Sequence, residues 1–148
     1  MSTLAEVYKQ LEATLLGQKI LSMSWQQRFN SPLYSLSTGK TLSVQVYVST
    51  SDMDLACAMQ IDEKPVYWWI SYSDSFGESL PPLGPGKKVS SVENISDCVN
   101  QTIESIQMVG SGQSILIRLI LSNGKTIAYS SSYSSTNMSI FVYPAQEI

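Results

Sequence analysis

The sequence predicts an α+β fold built from one unit used twice, and three observations carry this reading. The stretch Ser37-Thr38-Gly39-Lys40-Thr41-Leu42 returns as Ser122-Asn123-Gly124-Lys125-Thr126-Ile127. The echo extends upstream, where Gly17-Gln18-Lys19-Ile20-Leu21-Ser22-Met23 matches Asn100-Gln101-Thr102-Ile103-Glu104-Ser105-Ile106. It also extends downstream, where Ser51-Asp52-Met53-Asp54-Leu55 matches Thr136-Asn137-Met138-Ser139-Ile140. Residues ahead of each echo have apolar side chains at helical spacing, and residues within it alternate apolar with Ser or Thr at period two. The unit is therefore a helix followed by an antiparallel β-meander. Used twice, it gives about eight or nine strands in a continuous or split sheet, with two helices on one face. The expected organisation is one domain, with copy one at 3–75, a linker at 76–90 and copy two at 91–144.

Leu4, Val7, Tyr8, Leu11 and Leu15 define the first helix. Thr3-x-x-Glu6 forms a capping box before it, and Gly17 suits a left-handed C-terminal cap. From Lys19 the period becomes two, placing Ile20, Ser22 and Ser24 on one face and Leu21, Met23 and Trp25 on the other. Leu33 to Ser37 and Lys40 to Val48 flank a hairpin turn at Thr38-Gly39, and Asn123-Gly124 is the stronger form of the same turn. Further strands are expected from Met53 to Ile61 and from Val66 to Tyr72. The run Leu80-Pro81-Pro82-Leu83-Gly84-Pro85-Gly86 can enter neither a helix nor a central strand and connects the copies. Val92, Ile95, Cys98 and Val99 predict a short second helix ending at Asn100, a second-choice residue for the left-handed cap. Strands then follow over 102–109, 114–121, 125–132 and 137–143. Arg118 is a charge inside a strand and should either face water or pair with a carboxylate.

The 148 residues suffice for a substantial core, and 43% are hydrophobic against 14% charged. Nine basic and twelve acidic residues give a net charge of −3, and only Lys87 and Lys88 are adjacent, which argues against a nucleic-acid binder. No stretch reaches the roughly 18 unbroken apolar residues of a membrane span. The N-terminus lacks the pattern of a signal peptide, so a cytoplasmic setting is expected, with Cys57 and Cys98 reduced and buried.

The sequence contains no histidine, which removes the commonest general base and metal ligand. With two cysteines 41 positions apart and no second pair, neither a zinc site nor any other cofactor is expected. Gly39-Lys40-Thr41 and Gly124-Lys125-Thr126 imitate the end of a phosphate-binding loop. Tyr34 and Leu119 stand where its first glycine belongs, and a strand follows instead of a helix.

Two features point towards protein binding. Tyr67, Trp68, Trp69 and Tyr72 concentrate aromatic surface on one strand, and alternation sends part of it away from the core. Asp52, Asp54, Asp62 and Glu63, with Asp74 beyond them, form an acidic group suited to steering a basic partner. The leading expectation is a noncatalytic immunity or inhibitor-type protein, monomer or homodimer, that neutralises a basic toxin or enzyme. A small acidic secretion or assembly chaperone is the alternative, followed by a ligand-binding domain or enzyme using the cleft between the copies.

Overall fold

Among the described residues, apolar side chains at a helical period followed by long alternating tracts form one α-helix and two antiparallel sheets. The structure, a computed structural model, describes residues 2–27, 31–46, 53–62, 64–71, 73–89, 92–111, 114–132 and 138–145, with backbone alone for 53–58, 92–94 and 132. Helix α1 (Leu4–Leu15) leads into β1 (Ile20–Gln26), β2 (Ser31–Leu36), β3 (Thr41–Val46), β4 (Met53–Ile61) and β5 (Lys64–Ser71). These strands pair in sequence order as a five-stranded meander. The second sheet comprises β6 (Ser75–Phe76), β7 (Lys87–Lys88), β8 (Ile103–Ser111), β9 (Ser114–Leu121), β10 (Thr126–Ser132) and β11 (Ser139–Tyr143). Its order is β6-β8-β9-β10-β11-β7, so the two shortest strands close its two edges.

Of the two arrangements expected, continuous or split, the split one is present, with eleven strands among the described residues rather than eight or nine. The additional strands are β6 and β7, which lie at the ends of the segment expected to be only a linker.

Leu4, Val7, Leu11 and Leu15 are all fully buried, and each contributes roughly 1.5–3 kcal/mol by leaving water. Thr3 caps the helix, its hydroxyl accepting the Glu6 N–H at 3.2 Å. Gly17 is left-handed at φ +80°, but its N–H leaves the helix and donates to the Ile103 carbonyl at 2.8 Å. Asn100 is left-handed at φ +68° and donates to the Ile20 carbonyl at 2.7 Å. Two further bonds, Ile20 N–H to Gln101 C=O and Ile103 N–H to Gln18 C=O, both at 2.9 Å, complete a set in which every bond has its counterpart. Beside them, Ser37 and Ser122 repeat one pattern. Each donates its N–H, to Lys19 or Thr102, accepts that residue's N–H on its hydroxyl, and donates the hydroxyl to Gln18 or Gln101.

The second expected helix is instead a 3₁₀ segment, Val92–Cys98, broken at Ile95, where φ is −126° and ψ 16°. Asn94, Ser96 and Asp97 are residues whose side chains compete for backbone hydrogen bonds, and Ile95 is stiff at χ1, so seven such residues do not sustain an α-helix. Nor do the two elements share a face. Helix α1 lies against β8 and β6, and the 3₁₀ segment lies against β1.

The strict alternation expected for β1 is also corrected. A bulge between Ile20 and Ser22 leaves Leu21 47% exposed and returns Met23 to the face of Tyr34, its partner across the ladder. The same irregularity falls between Ile103 and Ser105 in β8. In both hairpins a backbone bond, Leu36 N–H to Lys40 C=O and Leu121 N–H to Lys125 C=O, encloses three turn residues, with glycine alone at positive φ, +87° at Gly39 and +83° at Gly124. Thr38 and Asn123 stay at negative φ because the glycine takes the strained position.

One buried apolar cluster draws on α1 and on the inner residues of both sheets. At its centre Tyr34 of β2 and Tyr129 of β10 are hydrogen-bonded hydroxyl to hydroxyl, each at most 1% exposed. Residues 77–86 run from β6 at one edge of the second sheet to β7 at the other. Pro81 gives its carbonyl to Arg118 Nη1 at 2.9 Å. Arg118 is only 7% exposed and has no carboxylate partner among the described residues, so it neither faces water nor forms the expected ion pair.

The tyrosine pair makes a two-part prediction. Tyr34→Phe should cost about 1–3 kcal/mol in urea unfolding because it orphans the Tyr129 hydroxyl, whereas adding Tyr129→Phe should recover much of that loss; additive losses would contradict the pairing. Burial raises both phenols above their ordinary value. The folded chain thus keeps protons that the unfolded chain releases. Stability should be intact below about pH 10 and fall as the pH rises beyond it, less steeply in the double variant.

Candidate functional site

Strand β5 forms one edge of the first sheet, pairing with β4 from Ile61 opposite Lys64 to Met53 opposite Ser71. Period two divides its side chains. Trp68 and Ile70 are 7% and 0% exposed and belong to the core, while Tyr67 and Trp69 are 53% and 54% exposed on the outer face. The aromatic run is therefore not one patch of four. Trp68 is a core residue, Tyr67 and Trp69 are the surface pair, and Tyr72 lies outside the described residues.

The acidic group separates in a similar way. Asp62, at φ +49°, accepts the Thr41 N–H on its carboxylate and donates its own N–H to the Thr41 carbonyl, both at 3.0 Å, tying the β4–β5 turn to β3. Asp74 accepts the Leu4 N–H at 2.8 Å and so holds a free donor at the start of α1. Both carboxylates are engaged within the fold, a role that charge counting alone does not reveal. Asp54 stands opposite Ile70 in the ladder. Asp52 and Glu63 lie outside the described residues, as does the Asp54 side chain.

The backbone along β5 adds a feature no side-chain pattern indicated. Trp69 C=O points away from β4 and accepts the Ser2 N–H at 3.0 Å, with Ser2 set parallel to Ile70. Ser71 C=O likewise accepts the Asp74 N–H at 3.0 Å. Because alternate residues in a strand direct their polar groups to the same side, Tyr67 N–H and C=O, Trp69 N–H and Pro65 C=O also face outward.

A second concave feature, an open cleft of about 480 Å³, lies beside β8. Tyr8, Phe76, Leu80, Ile106 and Met108 line it with Glu78. Tyr8 donates its hydroxyl to the Ile106 carbonyl at 3.1 Å and packs on Phe76 with ring centroids 5.1 Å apart. Withdrawal from water raises the Tyr8 phenol, and the Glu12 carboxylate adds to the rise. Among the described residues, Glu78 is the only carboxylate in this lining, which is otherwise mainly apolar. No sequence motif points to the cleft, since Phe76 and Glu78 fall in the segment expected to be a linker.

Cys98 is free and fully buried, and burial pushes its thiol up to about 11, which keeps it protonated and unreactive at neutral pH. Asp97 and Lys125 meet at 2.7 Å on the surface, and the Lys125 ammonium holds the Asp97 carboxyl below its usual range. No group of three cysteine or carboxylate side chains gathers as a metal site among the described residues. Among the described residues, no helix is long and apolar enough to cross a membrane.

The capping role of Asp74 is testable. Asp74→Ala should lower stability by about 1 kcal/mol in chemical denaturation, and an unchanged midpoint would show that the bond to Leu4 N–H contributes nothing. Comparison of the chain with protein-family models, with curated proteins and with solved structures finds no match.

Proposed function

We propose that this chain is a noncatalytic binding module for another protein, with Tyr67 and Trp69 as its anchors. The observation that supports this most is the exposure of both large aromatic side chains, two residues apart on an edge strand, at 53% and 54%. Left in water they bring no folding benefit. Buried under a partner, each aromatic side chain can cover roughly 150–250 Å² of contact surface. Tyr and Trp are also the residues on which interface energy concentrates.

The version we favour is an inhibitor or immunity-type protein acting on a basic partner in the cytoplasm. Its support is the net charge of −3, which favours encounter with a basic surface. In this version the aromatic pair supplies affinity and the overall acidity supplies encounter rate. Asp62 and Asp74 serve the fold as well, so substitutions there test steering and stability together. We further read the matched bonds around Gly17–Ile20 and Asn100–Ile103 as the trace of an internal duplication. On that reading β5, which has no counterpart in the sequence of the second unit, is an addition to the unit.

A pull-down from native-host lysate using the wild type beside Tyr67→Ala/Trp69→Ala tests the proposal. Exposed substitutions of this kind usually change stability by no more than about 0.5 kcal/mol, so the variant should fold normally. A basic protein retained by the wild type, eluted by salt and lost from the variant is the expected result. Retention of the same proteins by both forms would exclude Tyr67 and Trp69 as the anchors.

A further inference from the structure

We infer that the free edge of β5 receives an extended segment of the partner as an additional parallel strand; this rests on the protein-binding reading above and specifies its geometry. In a parallel ladder, one incoming residue donates to the C=O of residue i and accepts from the N–H of residue i+2. Ser2 already makes the first of these contacts. It donates to Trp69 C=O at 3.0 Å and lies parallel to Ile70. Two equivalent places precede it on the same edge, one between Tyr67 C=O and Trp69 N–H and one between Pro65 C=O and Tyr67 N–H. Nothing among the described residues occupies either place. Pro65 has no N–H to give, so the ladder ends there.

A second copy of this chain does not fit the edge. Antiparallel self-pairing centred on Tyr67 would set Lys64 of one chain beside Ile70 of the other, a place that Ser2 already fills. Parallel self-pairing is head to tail and does not close. The fitting occupant is a different chain. Residues entering the two places project towards the side of Val66 and Trp68, which is half-buried to buried and calls for apolar side chains. The residue between them projects to the outer face beside Tyr67 and Trp69. A guanidinium suits these open ring faces on a chain of net charge −3. The partner segment is therefore extended, free of proline, and alternates apolar with basic residues.

The test uses a capped heptapeptide of alternating valine and arginine, titrated into ¹⁵N-labelled full-length protein. Saturable binding should slow hydrogen exchange at the Tyr67 and Trp69 amides about tenfold. Tyr67→Ala should weaken binding by removing the ring, and Tyr67→Pro should weaken it about tenfold further by removing the edge donor as well. The proline leaves the ladder to β4 intact, as Pro65 does at the preceding outward position, and circular dichroism confirms the fold of each variant. Equal weakening by the two substitutions, with no amide protection, would overturn strand addition while leaving aromatic anchoring in place. Failure of the peptide to bind at millimolar concentration would overturn the inference together with its partner chemistry.

Discussion

The four backbone hydrogen bonds that join residues 17–20 to residues 100–103 are the constraint on which the remaining structure depends. They require two left-handed residues, Gly17 and Asn100, because only a reversal of the chain at each aims the N–H at the opposite strand. They also require that β1 and β8 begin side by side, as the Lys19–Thr102 bridge records. Once those strand starts are joined, α1 is directed onto the second sheet and the 3₁₀ segment onto the first. Each half thus covers the other. Ser37 and Ser122, with Gln18 and Gln101 behind them, satisfy the polar groups around the joint, so that the crossing leaves few backbone donors without partners.

From that joint the two sheets share one apolar core, and they differ in how their edges are managed. The second sheet has β6 at one edge and β7 at the other, both supplied by a single connection that Arg118 holds through the Pro81 carbonyl. Arg118 Nε, buried without a partner among the described residues, is a cost of that arrangement. Among the described residues, the first sheet has no such strand over β5, only the contacts of Ser2 at Trp69 and of Asp74 at Ser71. An edge with free donors and acceptors is a hazard unless it is blocked or used. Lys64 and Pro65 blunt one end of this edge, and Ser2 blunts the other. Between them lie Tyr67 and Trp69, where the fold leaves both aromatic area and backbone groups available.

Much of the fold was legible in the sequence because its signals are local. The helix could be read from Leu4, Val7, Leu11 and Leu15, the hairpin turns from Gly39 and Gly124, and the left-handed positions from the pairing of Gly17 with Asn100. Tertiary contacts decided the remainder. The 3₁₀ segment has an apolar spacing indistinguishable over seven residues from a short helix, and the bulges at Leu21 and Glu104 reveal themselves only as a phase shift in an otherwise regular alternation. Of the site, alternation alone identified Tyr67 and Trp69 as members of one face, although it could not say which face was buried. Asp74 was beyond reach for a simple reason: its partner is Leu4, seventy residues away. The outward carbonyls of β5 were equally hidden, since side-chain patterns carry no record of which backbone groups lack a neighbour.

Native-state hydrogen exchange at the amides of Gly17, Ile20, Asn100 and Ile103 tests the account most directly. If the joint organises the fold, these four amides exchange together, as slowly as those in the centre of β9, and only through global unfolding. Exchange at the joint through a separate, lower-energy opening, with β9 still protected, would show that the sheets hold together without it.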